Sequence, residues 1–172
     1  CYWKNSQPPV ALTTTGSNSF GSGLYVSAGE TYISDDHRGY WKGNTYVQVS
    51  SAGNVYIQNI SKSGASVFVS GYESRQASYW KNGVKTQLVS GAYESDVRGM
   101  AIDGNDVYCT GYRRNSPSEA GVSLLWKNSA ANPVQISYPS GQYTESYGIT
   151  VFQNKVYLCG NVLISGNDRA FV

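Results

Sequence analysis

The sequence predicts an all-β chain assembled from tandem copies of one unit, and three observations predict it. The tripeptide Tyr-Trp-Lys or a close variant occurs four times, at Tyr2-Trp3-Lys4, Tyr40-Trp41-Lys42, Tyr79-Trp80-Lys81 and Leu125-Trp126-Lys127. Successive tryptophans are 38, 39 and 46 residues apart, which is the period of a supersecondary unit copied along the chain. Between them the apolar residues alternate or form short runs bounded by Gly, Asn, Asp and Ser, and no stretch has helical periodicity.

The third copy shows the elements most plainly. Ala77-Ser-Tyr-Trp80 is a short aromatic strand, Lys81-Asn82-Gly83 supplies a turn, and Val84 to Val89 alternates apolar and polar side chains. Asn-Gly takes the positive φ values of a type I′ turn, whose twist matches that of paired strands, so the recurring Trp-Lys-Asn/Gly is expected to mark a hairpin turn. Downstream, Gly99 to Ile102, the turn Asp103-Gly-Asn-Asp106 and Val107 to Gly111 predict a second hairpin. It recurs as Tyr56 to Ile60 with Ser66 to Gly71, and as Tyr147 to Phe152 with Lys155 to Gly160. In the first copy the segment Gly23 to Gly29 is aligned with the Val-Tyr/Phe-x-x-Gly strand, which makes the strand before it shortened or degenerate.

Four short antiparallel strands in a unit of this length predict a β-propeller blade, with repeats at about 1-38, 39-77, 78-123 and 124-172. A β-trefoil has three repeats and a β-prism shorter units, so both rank below it. The end at Arg169-Ala-Phe-Val172 and the start at Cys1-Tyr2-Trp3 fall in register within one strand. Four copies are few for closure and an open array leaves edge strands unprotected. Either the termini meet to restore one mixed blade, or the chain is a segment of a larger wheel or one half of a pair of half-wheels joined as a homodimer, a four-plus-four ring being the simplest case.

Composition narrows the function classes. The chain has 13 basic and 11 acidic residues, a net charge of +2, and only 14% charged residues, so it carries no field that would select nucleic acid. No apolar run is long enough to predict a membrane span, and 15 tyrosines and 19 glycines suit a secreted or cell-surface all-β protein. Cys1 has the position of a lipidated cysteine in a mature bacterial lipoprotein, although it also falls inside the first repeat.

Within a blade the loop from second to third strand shares one face with the link to the next blade, and these segments differ most between copies. That face is expected to collect Asp35, Asp36, His37 and Arg38 from one loop, Arg75 from the next, and Tyr93, Glu94 and Asp96 from a link. Arg113, Arg114, Tyr143 and Glu145 complete the candidate binding residues. Asp35-Asp36-His37-Arg38 holds the single histidine, too few ligands to predict a metal site. Asp103-Gly104-Asn105-Asp106 lacks the spaced acids of a calcium loop and reads as a turn. Glu94 with Asp96 or Glu145 would serve acid-base cleavage of a glycoside if their loops converge.

No nucleophile elbow is present, and Cys109 and Cys159 fall in strands at positions offset by one, which disfavours a disulfide between them. No catalytic residue and no cofactor is predicted. Trp3, Trp41, Trp80 and Trp126, kept at one place in every copy, are expected to pack between blades with their lysines lying across a ring. Tyr32, Tyr93, Tyr138 and Tyr143 vary between copies and are better candidates for stacking on a sugar.

The Gly-His and Trp-Asp signatures of WD40 repeats and the paired glycine of kelch repeats are missing. The four Trp-Lys copies resemble the repeats of secreted bacterial propeller proteins built on Tyr-Trp-Lys-Asn-Gly, many of them uncharacterised lipoproteins. That resemblance implies a propeller but no activity. The function expected is a non-catalytic extracellular binding module presenting one propeller face to a protein or glycan. The alternatives are a carbohydrate-active hydrolase or lyase using the loop carboxylates, and a structural segment of a longer propeller.

Overall fold

The computed structural model describes residues 7–12, 20–137, 143–164 and 166–172. Among them are fifteen strands and no helix. The first sheet contains β1 (Gly21–Ser27), β2 (Glu30–Asp35), β3 (Gly39–Lys42) and β4 (Thr45–Gln48). The second contains β5 (Val55–Ser63), β6 (Ser66–Glu73), β7 (Gln76–Lys81) and β8 (Val84–Gln87). The third contains β9 (Glu94–Asp103), β10 (Asp106–Arg114), β11 (Val122–Lys127) and β12 (Val134–Ile136), and the fourth β13 (Thr144–Phe152), β14 (Lys155–Ile164) and β15 (Asn167–Phe171). Each sheet is an antiparallel meander in chain order, four-stranded in the first three and three-stranded in the fourth.

The sheets stack in sequence. β1 packs on β5, β5 on β9 and β9 on β13, so the first strands of the four sheets lie side by side. This is a propeller-like arrangement, and no comparable packing joins the fourth sheet to the first among the described residues.

Turn chemistry sets the registers. Lys81 pairs with Val84 across Asn82 and Gly83, whose φ values of 50° and 81° are those of the predicted type I′ turn. Asn82 has a second role that the turn rule does not supply: its Oδ1 accepts the Val67 N–H at 2.9 Å, and Asn128 does the same for Val107 at 2.7 Å. The Asn after Trp-Lys therefore ties the third strand to the start of the second. Asp103 pairs with Asp106 across a hairpin turn, as expected.

The first copy requires a correction. Gly21–Ser27 is the first strand of its sheet, and the residue aligned with Gly71, Gly111 and Gly160 is Asp35 in β2. Both strands are present in that sheet, at seven and six residues against nine or ten and eight to ten in the others. The Val-Tyr/Phe-x-x-Gly pattern misplaced it because Asp stands where the other copies have Gly.

That position matters because each sheet has a β-bulge there. Register shifts fall between Gly21 and Gly23, Ile57 and Asn59, Val97 and Gly99, and Ser146 and Gly148. The bulged residues are thus Ser22, Gln58, Arg98 and Tyr147, one per sheet. A Cβ on Gly71, Gly111 or Gly160 would collide with the carbonyl oxygen of Tyr56, Asp96 or Glu145 on the bulged strand. Only glycine lets the second strand approach a bulge this closely. In the first sheet the glycine of the pair is Gly21, on the bulged strand itself, opposite Asp35.

The core lies between the sheets. Tyr32 of the first sheet packs with Ile57, Ile60, Val69 and Trp80 of the second. Phe68 and Tyr79 of the second sheet pack with Val97, Val107, Cys109 and Trp126 of the third. Trp80 and Trp126 are fully buried in these two joints, whereas Trp41 is covered by Val10, Leu12 and Tyr46. Trp3 lies outside the described residues. The lysines lie across rings, but the rings are cross-strand neighbours and not the tryptophans: Lys81 over Phe68 at 5.4 Å, Lys127 over Tyr108 at 5.1 Å and Lys42 over Tyr32 at 5.9 Å. Tyr32 itself is 2% exposed, so it is a joint residue and offers no sugar platform.

Candidate functional site

The bulges carry side chains from one sheet to the next. Ser22 Oγ donates to the carbonyl of Ile57 at 2.6 Å, and Gln58 Nε2 donates to Asp96 Oδ2 at 2.6 Å. Arg98 reaches Glu145, Nη2 to Oε1 3.8 Å, and its Nε lies 3.9 Å from Asp96 Oδ2. Because a bulged residue is unpaired in its ladder, its side chain is free to leave the plane of the sheet. Sequence reading missed Gln58, Arg98 and Tyr147 entirely, since a bulge depends on how two strands register and leaves no periodic mark.

The expected loop face exists as one end of the stacked sheets. Ser74 donates its N–H to the Asn54 carbonyl at 2.7 Å and Ser95 to the Arg75 carbonyl at 2.8 Å, so turns between second and third strands meet the inter-sheet links there. A belt of rings and guanidinium groups crosses this end. His37 lies 5.8 Å from Tyr56, and Tyr56 stacks on Tyr72 at 4.9 Å. Tyr72 borders a cleft of about 290 Å³ with Arg75, Tyr93, Glu94, Ser95 and Arg114. The Tyr93 ring has two guanidinium groups near it, Arg75 at 5.4 Å and Arg114 at 5.5 Å. Arg114 and Tyr143 then border a second hollow of about 210 Å³ with Arg98, Tyr112, Gly121 and Glu145. Arg98 lies 5.1 Å from the Tyr112 ring and 5.2 Å from the Tyr147 ring.

The charges on this end are organised in pairs. Arg114 binds Glu94, whose other oxygen accepts the Tyr112 hydroxyl at 2.5 Å. The Tyr112 hydrogen bond and Arg114 hold the Glu94 carboxyl below its ordinary pKa. Burial and the bond to Glu94 push Tyr112 up to about 12. Glu145 accepts the hydroxyls of Tyr143, at 2.5 Å, and Tyr147. Burial opposes its ionisation, but these bonds and Arg98 keep its pKa lowered. Asp96 behaves oppositely. It is 5% exposed, its Oδ1 has no hydrogen-bond partner, and burial raises its pKa to about 6 despite Gln58 and Arg98.

The predicted residues thus fall into two groups. Arg75, Tyr93, Glu94, Asp96, Arg114, Tyr143 and Glu145 converge on the third sheet and its flanks. Arg113, between them in sequence, lines neither hollow. Asp35, Asp36, His37 and Arg38 lie at the first sheet, where His37 joins the belt through its contact with Tyr56. Tyr138 lies outside the described residues.

Asp35, Asp36 and His37 bring three ligand atoms within 4.8 Å of one another. His37 Nδ1 meets Asp36 Oδ1 at 2.6 Å, the His37 N–H donates to Asp35 Oδ1 at 3.0 Å, and Asp36 Oδ1 also accepts the Phe20 N–H at 3.0 Å. This is the bonding of a tight turn with Arg38 at φ 66°. Cys109 is buried in the second joint, which pushes its thiol pKa strongly up, while Cys159 is exposed on the fourth sheet, and both are free. No helix among the described residues is long and apolar enough to cross a membrane.

Among solved structures the chain is similar in fold to the computationally designed Ika4 protein, with a TM-score of 0.50, 14% identity, and 96% of this chain and 98% of that one covered. It also resembles the computationally designed Ika8 protein, with a TM-score of 0.47, 14% identity, and 93% of this chain and 48% of that one covered. No protein-family model and no curated protein matches the sequence.

Proposed function

We propose that the chain is a non-catalytic binding module, displayed outside the cell, that takes a carboxylate-bearing glycan along the belt of rings and guanidinium groups. The observation that carries this reading is the belt itself. Tyr56, Tyr93 and Tyr147 are exposed on it, while Arg75, Arg98 and Arg114 lie against rings along the same end. A flat ring stacks on the apolar face of a sugar, and a guanidinium group pairs with a carboxylate in bidentate fashion. Arg114 and Arg98 are already matched by Glu94, Asp96 and Glu145, which leaves exposed Arg75 as the cation best placed for a ligand. The low charge and high tyrosine content agree with presentation outside the cell.

Calorimetric titration with an acidic oligosaccharide such as oligogalacturonate, against a neutral oligosaccharide of equal length, tests this. Preferential binding of the acidic chain is expected, weakened about tenfold by Tyr93→Ala and by Arg75→Ala, the size of one lost stacking or charged contact. Binding that ignores both substitutions, or no binding of either sugar, overturns it.

A hydrolase is the second reading, because Asp96 is raised to about 6 while Glu94 and Glu145 are lowered, the division of roles used by acid and base pairs. Against it, Asp96 is buried and its Oδ2 is held by Gln58, so the proton-donating group lies beneath the surface that a substrate would touch. Turnover of any oligosaccharide, abolished by Asp96→Asn, would favour it.

A further inference from the structure

We infer that two copies of this chain close on each other, the β13–β15 face of each covering the β1 side of its partner, so that both copies form one ring. It rests on a joint that the chain makes twice internally, between the first and second sheets and between the second and third, and leaves half-made at both ends.

These two joints have the same parts. The second strand of one sheet presents an aromatic residue, Tyr32 or Phe68, each 2% exposed, to the tryptophan face of the next sheet. Two residues along on the same face are Ser34, Ser70 and Thr110, all fully covered. In the fourth sheet the corresponding residues are Tyr157 and Cys159, by their registers opposite Thr150 and Gly148. Tyr157 is 43% exposed and Cys159 is exposed, with Phe152 beside them uncovered as well.

The opposite half-joint is on the first sheet. Leu24 pairs with Ile33 as Ile60 pairs with Val69. Ile60 is 8% exposed beneath the neighbouring sheet, whereas Leu24 is 63% exposed and Val26 is exposed beside it. Val10 and Leu12 already cover Trp41 and Ile33, so the inner strand is the part of this face that a partner would cover.

The polar bonds repeat the pattern. The bulged residues Ser22, Gln58 and Arg98 each bond the following sheet, whereas Tyr147, which has no following sheet among the described residues, bonds Glu145 of its own strand. Each end thus presents what the other end's surface is shaped to receive. A head-to-tail contact of this kind closes when two copies supply two equal joints. Eight blades also lie within the range in which propellers close. Uncovered apolar side chains clustered at matching positions are the mark of an interface.

Light scattering on the intact chain is expected to return twice the chain mass. Leu24→Asp and Tyr157→Asp each place a charge in one half-joint and are expected to give monomers with unchanged far-UV circular dichroism. An equimolar mixture of the two variants retains one intact joint, between Leu24 of the Tyr157→Asp copy and Tyr157 of the Leu24→Asp copy, and is expected to regain dimer at least tenfold more readily than either variant alone. As an independent readout, maleimide labelling of Cys159 is expected to be slow in the dimer and to accelerate on dilution. A monomer at the highest soluble concentration, an open-ended polymer, or a dimer indifferent to both substitutions overturns the inference.

Discussion

Arg98 leaves its own sheet to meet Glu145 in the next, with 3.8 Å between Nη2 and Oε1. It is the bulged residue of β9, and the bulge is what turns it across the joint. Arg98→Met keeps much of the stem and removes the charge that faces both Asp96 and Glu145. A loss of about 1–2 kcal/mol in urea unfolding is expected for a half-buried pair of this kind, most of it absent when Glu145→Gln is already in place.

Asp96 predicts a particular pH dependence. Its pKa is raised in the fold to about 6, so the native state holds this proton over a range where the unfolded chain has released it. Ionising it in the native state therefore costs stability as pH rises from about 4 through 6, by roughly 3 kcal/mol at most. Asp96→Asn keeps an oxygen for Gln58 and cannot ionise. The difference in unfolding free energy between variant and wild type should favour the variant at pH 8 and shrink between pH 6 and 4; a difference that is flat with pH would refute this account.

Gly111→Ala places a methyl group against the Asp96 carbonyl oxygen, a backbone atom that the bulge holds in place. A loss above about 3 kcal/mol, or failure to fold, is expected. Gly53→Ala is the control, because nothing lies within 4 Å of its Cβ position and its φ is not positive. Thermal unfolding of the two variants should separate them clearly.

Trp80→Ala removes the largest side chain from the joint between the first and second sheets, where it is 1% exposed. Chemical denaturation should show a loss of about 3–5 kcal/mol, the usual cost of emptying a buried aromatic site. Val84→Ala, on an exposed strand four residues away, should cost a few tenths.

The repeat was legible because its markers are local. Trp-Lys-Asn/Gly is followed by a hairpin turn after Trp41 and Trp80, and the alternating strands that flank the turn can be read from neighbours along the chain. The loop residues Arg75, Tyr93, Glu94 and Arg114 were also accessible to reasoning, since they stand where the copies differ.

Other features were decided only by tertiary structure. Asp35 standing for a glycine hid the true first strand of the first sheet, because the need for glycine there belongs to a pair of strands and can be met from either side. Arg98 and Tyr147 gained their roles from bulges, which exist only once two strands have registered. Tyr32 and Tyr93 look alike in sequence, yet one is sealed in a joint and the other lies open beside two guanidinium groups. The sequence by itself determined the repeating sheet and its turns, since these follow from neighbours along the chain. The stacking of one sheet on the next decided which tyrosines meet solvent, which carboxyl has its pKa raised by burial, and which faces remain uncovered, because burial is set by groups distant in sequence.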